Sequence, residues 1–125
     1  TLKDTLILAN ELISSLVPSK EKMLKMANEG FTTATDFADY LVKEKKISFR
    51  DSYNISSKLV NYAEKNNKTL NQISLNELKK FYKDLDKSVL KVFDVKNSMN
   101  SKNSYGGTSS NNVNKMIKKY KKETK

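Results

Sequence analysis

The sequence predicts an all-α fold, a small orthogonal bundle of six to seven short helices. Three observations carry this. Apolar residues recur at three- and four-residue steps along most of the chain. Ser, Thr and Asn punctuate those stretches where helix caps belong. No run alternates apolar and polar residues in the way a half-buried strand requires.

In the first 17 residues, Leu2, Leu6, Ala9, Ile13 and Leu16 form one stripe, and Leu8 and Leu12 widen it. This is an amphipathic helix with a broad apolar face. Pro18 ends it, because proline cannot donate to the helical ladder. Ser19 caps a second helix, whose buried face is expected at Met23, Met26 and Ala27, with Gly30 as a left-handed C-cap. Thr33 and Asp36 have the spacing of an N-cap and its acidic partner. They open a third helix with Phe37, Ala38, Leu41 and Val42 inward, closed by the basic run Lys43 to Lys46.

Ser48 and Asp51 repeat the capping spacing. The helix that follows is expected to run to about Lys65, with Phe49 at its start, Ile55, Leu59, Tyr62 and Ala63 inward, and Asn66-Asn67 ending it. Ser74 and Glu77 form the cleanest capping box, opening a helix through Leu75, Leu78, Phe81 and Tyr82. A further helix is expected over Leu85 to Phe93, with Val89, Leu90 and Phe93 inward. Residues 94–108, rich in Asn and Ser and ending in Tyr105-Gly106-Gly107-Thr108, read as a polar loop. The last helix starts near Thr108 to Ser110 and places Val113, Met116, Ile117 and Tyr120 at helical spacing.

Composition narrows the chemistry. The chain has no cysteine and no histidine. It therefore lacks disulfides, a thiol nucleophile, and the commonest general base and metal ligand. No Ser-His-Asp relay can form within it. No cofactor, metal or catalytic residue is expected within the chain. The net charge is +10, and residues 113–125 hold six lysines and one glutamate. Such a tail, with Asn111, Asn112 and Asn114 beside it, raises a small basic helical nucleic-acid-binding module as the alternative reading. A solvated, lysine-rich surface with coding bias toward Lys, Asn and Ile is the plainer account, and nucleic acid is disfavoured. No apolar run approaches the roughly 18 residues of a membrane span, so no membrane partner is expected.

Other features have plain readings. Gly106-Gly107 before a helix is a backbone bend rather than an anion cradle, since no GxGxxG spacing accompanies it. Asp36 is expected to cap and Asp39 to face water. Arg50 is the sole arginine, and its place in a helix's first turn calls for a compensating acid nearby. The chain begins at Thr1, already inside a helical pattern, which suggests a piece of a longer protein.

The stretch from Met23 through Leu59 resembles the C-terminal domain of argininosuccinate lyases. Gly30-Phe31, Ala34-Thr35-Asp36, Ala38-Asp39-Tyr40-Leu41-Val42 and Phe49-Arg50 fall into the family's pattern. Downstream, Ser74-Leu75-Asn76-Glu77-Leu78 resembles its leucine-rich helix start, and Ser104 to Thr108 its terminal Gly-Gly-Thr segment. Order and spacing hold over roughly residues 1–117. The chain departs from the pattern at Ser48, where proline is common, at Ser52-Tyr53, where Ala-His is usual, and at Ser56, where glycine is frequent.

The resemblance implies the tail domain of a fumarase/aspartase-type lyase. Such an enzyme splits argininosuccinate into arginine and fumarate for arginine biosynthesis. It works as a cytoplasmic homotetramer whose active sites draw on three subunits. Residues 1–18 would end a helix of the central domain, 19–117 would form the C-terminal helical domain, and 118–125 a frayed basic tail. The partners implied are the rest of the same chain, the other subunits, and argininosuccinate bound by the whole enzyme. The family's serine-loop signature and its upstream histidine are absent, so this segment is expected to be structural and inactive alone.

Overall fold

The computed structural model describes residues 1–124. Seven α-helices follow one another: α1 (Leu2–Ser15), α2 (Lys20–Glu29), α3 (Ala34–Lys45), α4 (Phe49–Lys65), α5 (Leu75–Leu78), α6 (Val95–Ser101) and α7 (Ser110–Glu123). Two 3₁₀ segments, Leu70–Gln72 and Lys87–Phe93, lie on either side of α5. No strand occurs among the described residues.

The core is built on α3 and α4. Phe37 and Leu41 from α3 meet Leu59 and Ala63 from α4, and Leu70, Ile73, Leu78, Leu85, Val89 and Phe93 close the cluster. The Phe37 and Phe93 rings lie 5.4 Å apart at a tilt of 41°, a favourable offset for two quadrupoles. The interface between α3 and α4 is lined by small residues. Ser52 and Ser56 are buried beside Ala38, whereas the larger Ile55 and Tyr62 pack only partly buried at the cluster's edge. Each buried hydroxyl is satisfied by a carbonyl: Ser56 donates to Ala34 O at 2.6 Å, and Ser52 to Phe49 O at 2.8 Å. Small side chains let the backbones approach, and local hydroxyl-to-carbonyl bonds remove the cost of burying them.

The caps with the cleanest sequence signals form as expected. Asp51 N–H donates to Ser48 Oγ at 3.1 Å. Asn66 ends α4, and Asn67 takes a left-handed φ of 51°. At α5, Ser74 N–H and Oγ both donate to Glu77 Oε2, at 2.9 and 2.7 Å. The other carboxylate oxygen of Glu77 accepts from Lys68 Nζ at 2.7 Å and Tyr62 OH at 2.8 Å. Lys68 first, then Ser74 and Tyr62, hold the Glu77 carboxyl far below the ordinary carboxylate value. This knot ties the end of α4 to α5 with a side chain only 17% exposed.

A depressed carboxyl stabilises the fold above its unfolded pKa, and that stability is lost as pH falls through the folded value. For Glu77 the loss therefore begins as pH drops below its ordinary 4.5. Glu77→Gln is expected to be less stable than the parent at neutral pH, and the gap should close on acidification below that value. Urea melts of both chains across the acid range check this; a gap that stays constant would contradict it.

Several local expectations give way to tertiary structure. Gly30 caps α2 at φ −87°, and the left-handed residue is Phe31, at φ 49°. The reversal comes one residue late because Thr32 Oγ1 bonds back to Ala27 O at 2.9 Å. The Thr33 side chain makes no cap bond, and Asp36 reaches across the fold to Ser98 and Lys102 instead. Met23 and Met26, expected inward, are 60% and 70% exposed, because α2 has no helix over that face among the described residues.

The helix at Ser74 ends at Leu78, four residues before Tyr82. The segment 87–93 winds as a 3₁₀ helix with Val89 and Phe93 buried. Leu90 turns outward to line a surface hollow with Leu24 of α2. Residues 95–101, read as loop, form α6, with Asp94 accepting from Asn97 N–H at 2.9 Å. The last helix, with Val113, Met116, Ile117 and Tyr120 on it as the spacing predicts, runs from Ser110 to Glu123. Of the segment expected to fray, Lys125 lies outside the described residues.

Candidate docking face

The broad apolar face of α1 is the feature left over once the core is closed. Leu2, Leu6, Leu8, Leu12, Ile13 and Leu16 are all exposed, and α1 buries no residue. The sequence dictates this face: a stripe at three- and four-residue steps, widened on one side, presents apolar atoms over nearly half the helix surface. Past Pro18, α2 adds Met23, Leu24 and Met26 to the same exposed set. An exposed apolar helix face such as that of α1 marks an interaction site.

Residues singled out for possible chemistry scatter across the fold. Asp39 faces water as expected. Arg50 is exposed and forms no ion pair among the described residues, so solvent rather than an acid offsets its position at the α4 N-terminus. Tyr53 is exposed and stacks on Phe49, with ring centres 6.3 Å apart. Gly106 adopts φ 78°, and a Cβ on Gly107 would lie 2.2 Å from Lys102 O. The Gly-Gly pair is therefore a tight bend between α6 and α7, as its plain reading had it.

Val113, Met116, Ile117 and Tyr120 line a shallow hollow of about 500 Å³ beside that bend. The lysines of α7 are exposed. No group of three carboxylates able to hold a metal occurs among the described residues. No helix among them is long and apolar enough to cross a membrane.

Sequence reasoning missed the link from Asp36 to Ser98 and Lys102. Its only local signal was a carboxylate at capping spacing, which cannot reveal partners 62 and 66 residues away.

The described residues form a helical domain with a closed core and an exposed apolar helix, a fold shared with a solved lyase. A solved structure of an EDDS lyase variant with bound fumarate superposes with a TM-score of 0.78, at 22% identity, over 85% of this chain and 23% of that one. The family described as argininosuccinate lyase C-terminal matches residues 31–100. The argininosuccinate lyase of Pelagibacter ubique is 52% identical over 121 residues, covering 97% of this chain and 26% of that protein. Those of Alcanivorax borkumensis and Caldicellulosiruptor saccharolyticus are 42% and 38% identical, over 90% and 97% of this chain and 24% and 26% of theirs. The chain belongs to the argininosuccinate lyase C-terminal family. It spans about a quarter of the length of these relatives.

Proposed function

We propose that the chain serves as the helical C-terminal part of a lyase that cleaves argininosuccinate to arginine and fumarate, in cytoplasmic arginine biosynthesis. The observation that carries this is the 52% identity to an argininosuccinate lyase along 97% of the chain. In this reading α1 ends a helix of the central domain, residues 19–117 form the tail domain, and the working assembly is a homotetramer. The α1 and α2 face is covered by helices of the same enzyme. Two facts support that occupant: the chain spans 26% of that relative, and α1 exposes apolar side chains around a broad arc, as suits a helix with more than one neighbour. The chain's own residues then act as scaffold, and none is assigned to bond cleavage.

The test is fumarate release from argininosuccinate, followed by ultraviolet absorbance. The 125-residue chain alone is expected to release none, and the longer protein that contains it is expected to turn over. Turnover by the 125-residue chain, or an inert longer protein, would sink the proposal.

A further inference from the structure

The last quarter of the chain is attached to the core through a narrow junction. No side chain of α6 or α7 is buried; between them, Ser109 at the α7 N-cap is. The two helices are joined through a hydrogen-bonded bend. Ser110 N–H donates to Asn100 Oδ1 at 3.2 Å, and Asn112 Nδ2 to Ser104 O at 2.7 Å. The bend between them leaves no room for a Cβ at Gly107. Together they form one lever bent tightly at Gly106-Gly107.

The lever meets the core in two ways. Its first helix, α6, packs on the 3₁₀ segment Lys87–Phe93, where Asn97 Nδ2 also donates to Lys91 O at 3.4 Å. It also places Ser98 and Lys102, one helical turn apart, on the two oxygens of Asp36. Ser98 Oγ donates to Oδ2 at 2.5 Å, and Lys102 Nζ pairs with Oδ1. The Asp36 side chain is 12% exposed and that of Lys102 46%, so the carboxylate is sheltered within α3 while its cation approaches from solvent. A partly sheltered, two-point, charge-assisted contact fixes rotation as well as position, which the slight apolar burial of α6 cannot do.

We propose that Asp36 is the pin of a hinged C-terminal arm: its contacts with Ser98 and Lys102 set the direction in which α7 leaves the core. They thereby set where the Val113, Ile117 and Tyr120 stripe faces. The proposal concerns a conformational device in this chain and stands whether or not the lyase reading does.

The absence of cysteine makes the test clean. Lys58→Cys on α4 and Lys118→Cys on α7 give a single spin-labelled pair, and pulsed electron-electron resonance reads their distance distribution. The parent pair is expected to give one narrow distribution. Lys102→Gln and Asp36→Asn are each expected to broaden it roughly twofold or split it, with helicity and melting temperature near the parent's for Lys102→Gln. Should Asp36→Asn fail to fold, Lys102→Gln alone decides, since Lys102 lies outside the core. A broad distribution in the parent pair would overturn the proposal, as would an unchanged one in folded variants.

Discussion

Phe37→Ala is expected to leave the chain largely unfolded at moderate urea concentrations that the parent tolerates. Phe37 is fully buried, contributed by α3 to the centre of the cluster, and its ring stacks on Phe93. Truncating a buried phenylalanine costs about 3–5 kcal/mol, from lost transfer energy and the cavity left behind. Domains are stable by roughly 0.05–0.15 kcal/mol per residue, so one such loss removes a large share of the total. The cavity would sit between α3 and the 3₁₀ segment Lys87–Phe93, whose irregular backbone depends on Val89 and Phe93 for its place. Urea denaturation followed by circular dichroism measures the change. Lys58→Ala, on the exposed side of α4, serves as the control and is expected to stay within about 0.5 kcal/mol of the parent. A loss below about 1 kcal/mol for Phe37→Ala would mean the core is not organised around this ring.

The second large effect is on the α1 face. Under the lyase reading, Leu6→Asp combined with Ile13→Asp in the longer protein abolishes assembly and fumarate release while the tail domain stays folded. The two positions lie seven residues apart in the middle of the stripe and make no core contact in this chain. Burying such a side chain against partner helices contributes about 2 kcal/mol, so losing two weakens docking on the order of 1000-fold. The desolvation cost of the introduced carboxylates adds to this. Sedimentation and the fumarate assay read the two consequences separately. An assembled, active double variant would show that α1 is not a docking helix. Ser14→Asp, on the side of α1 turned away from the stripe, is expected to leave both readouts near the parent's.

The elements legible in the sequence are those whose signals are local. The helix starting at Ser48 and ending at Asn66-Asn67 was readable almost to the residue, because its cap and its left-handed stop are made by neighbours in sequence. The same holds for the capping box at Ser74 and Glu77. The stripe on α1 was readable as an apolar face; that nothing in this chain covers it was not, since periodicity reports which side is apolar and never what lies opposite. Met23 and Met26 on α2 show the same limit: their spacing is that of a buried face, yet both are exposed.

What the sequence by itself determined is therefore the helical class, most of the helix positions and the family to which they belong. Each of these is set by short-range hydrogen bonding and by the order of residues along the chain. Only the tertiary structure decided that Ser52 and Ser56 would line the α3–α4 contact, where close backbone approach outweighs side-chain polarity once a carbonyl accepts each hydroxyl. It alone turned the Asn- and Ser-rich stretch after Asp94 into α6. A helix so poor in intrinsic propensity forms where its neighbours hold it: the 3₁₀ segment beneath it, and Asp36 reaching across from α3. A carboxylate three residues after a threonine looks the same whether it caps its own helix or pairs with a distant lysine, and long-range packing makes that choice.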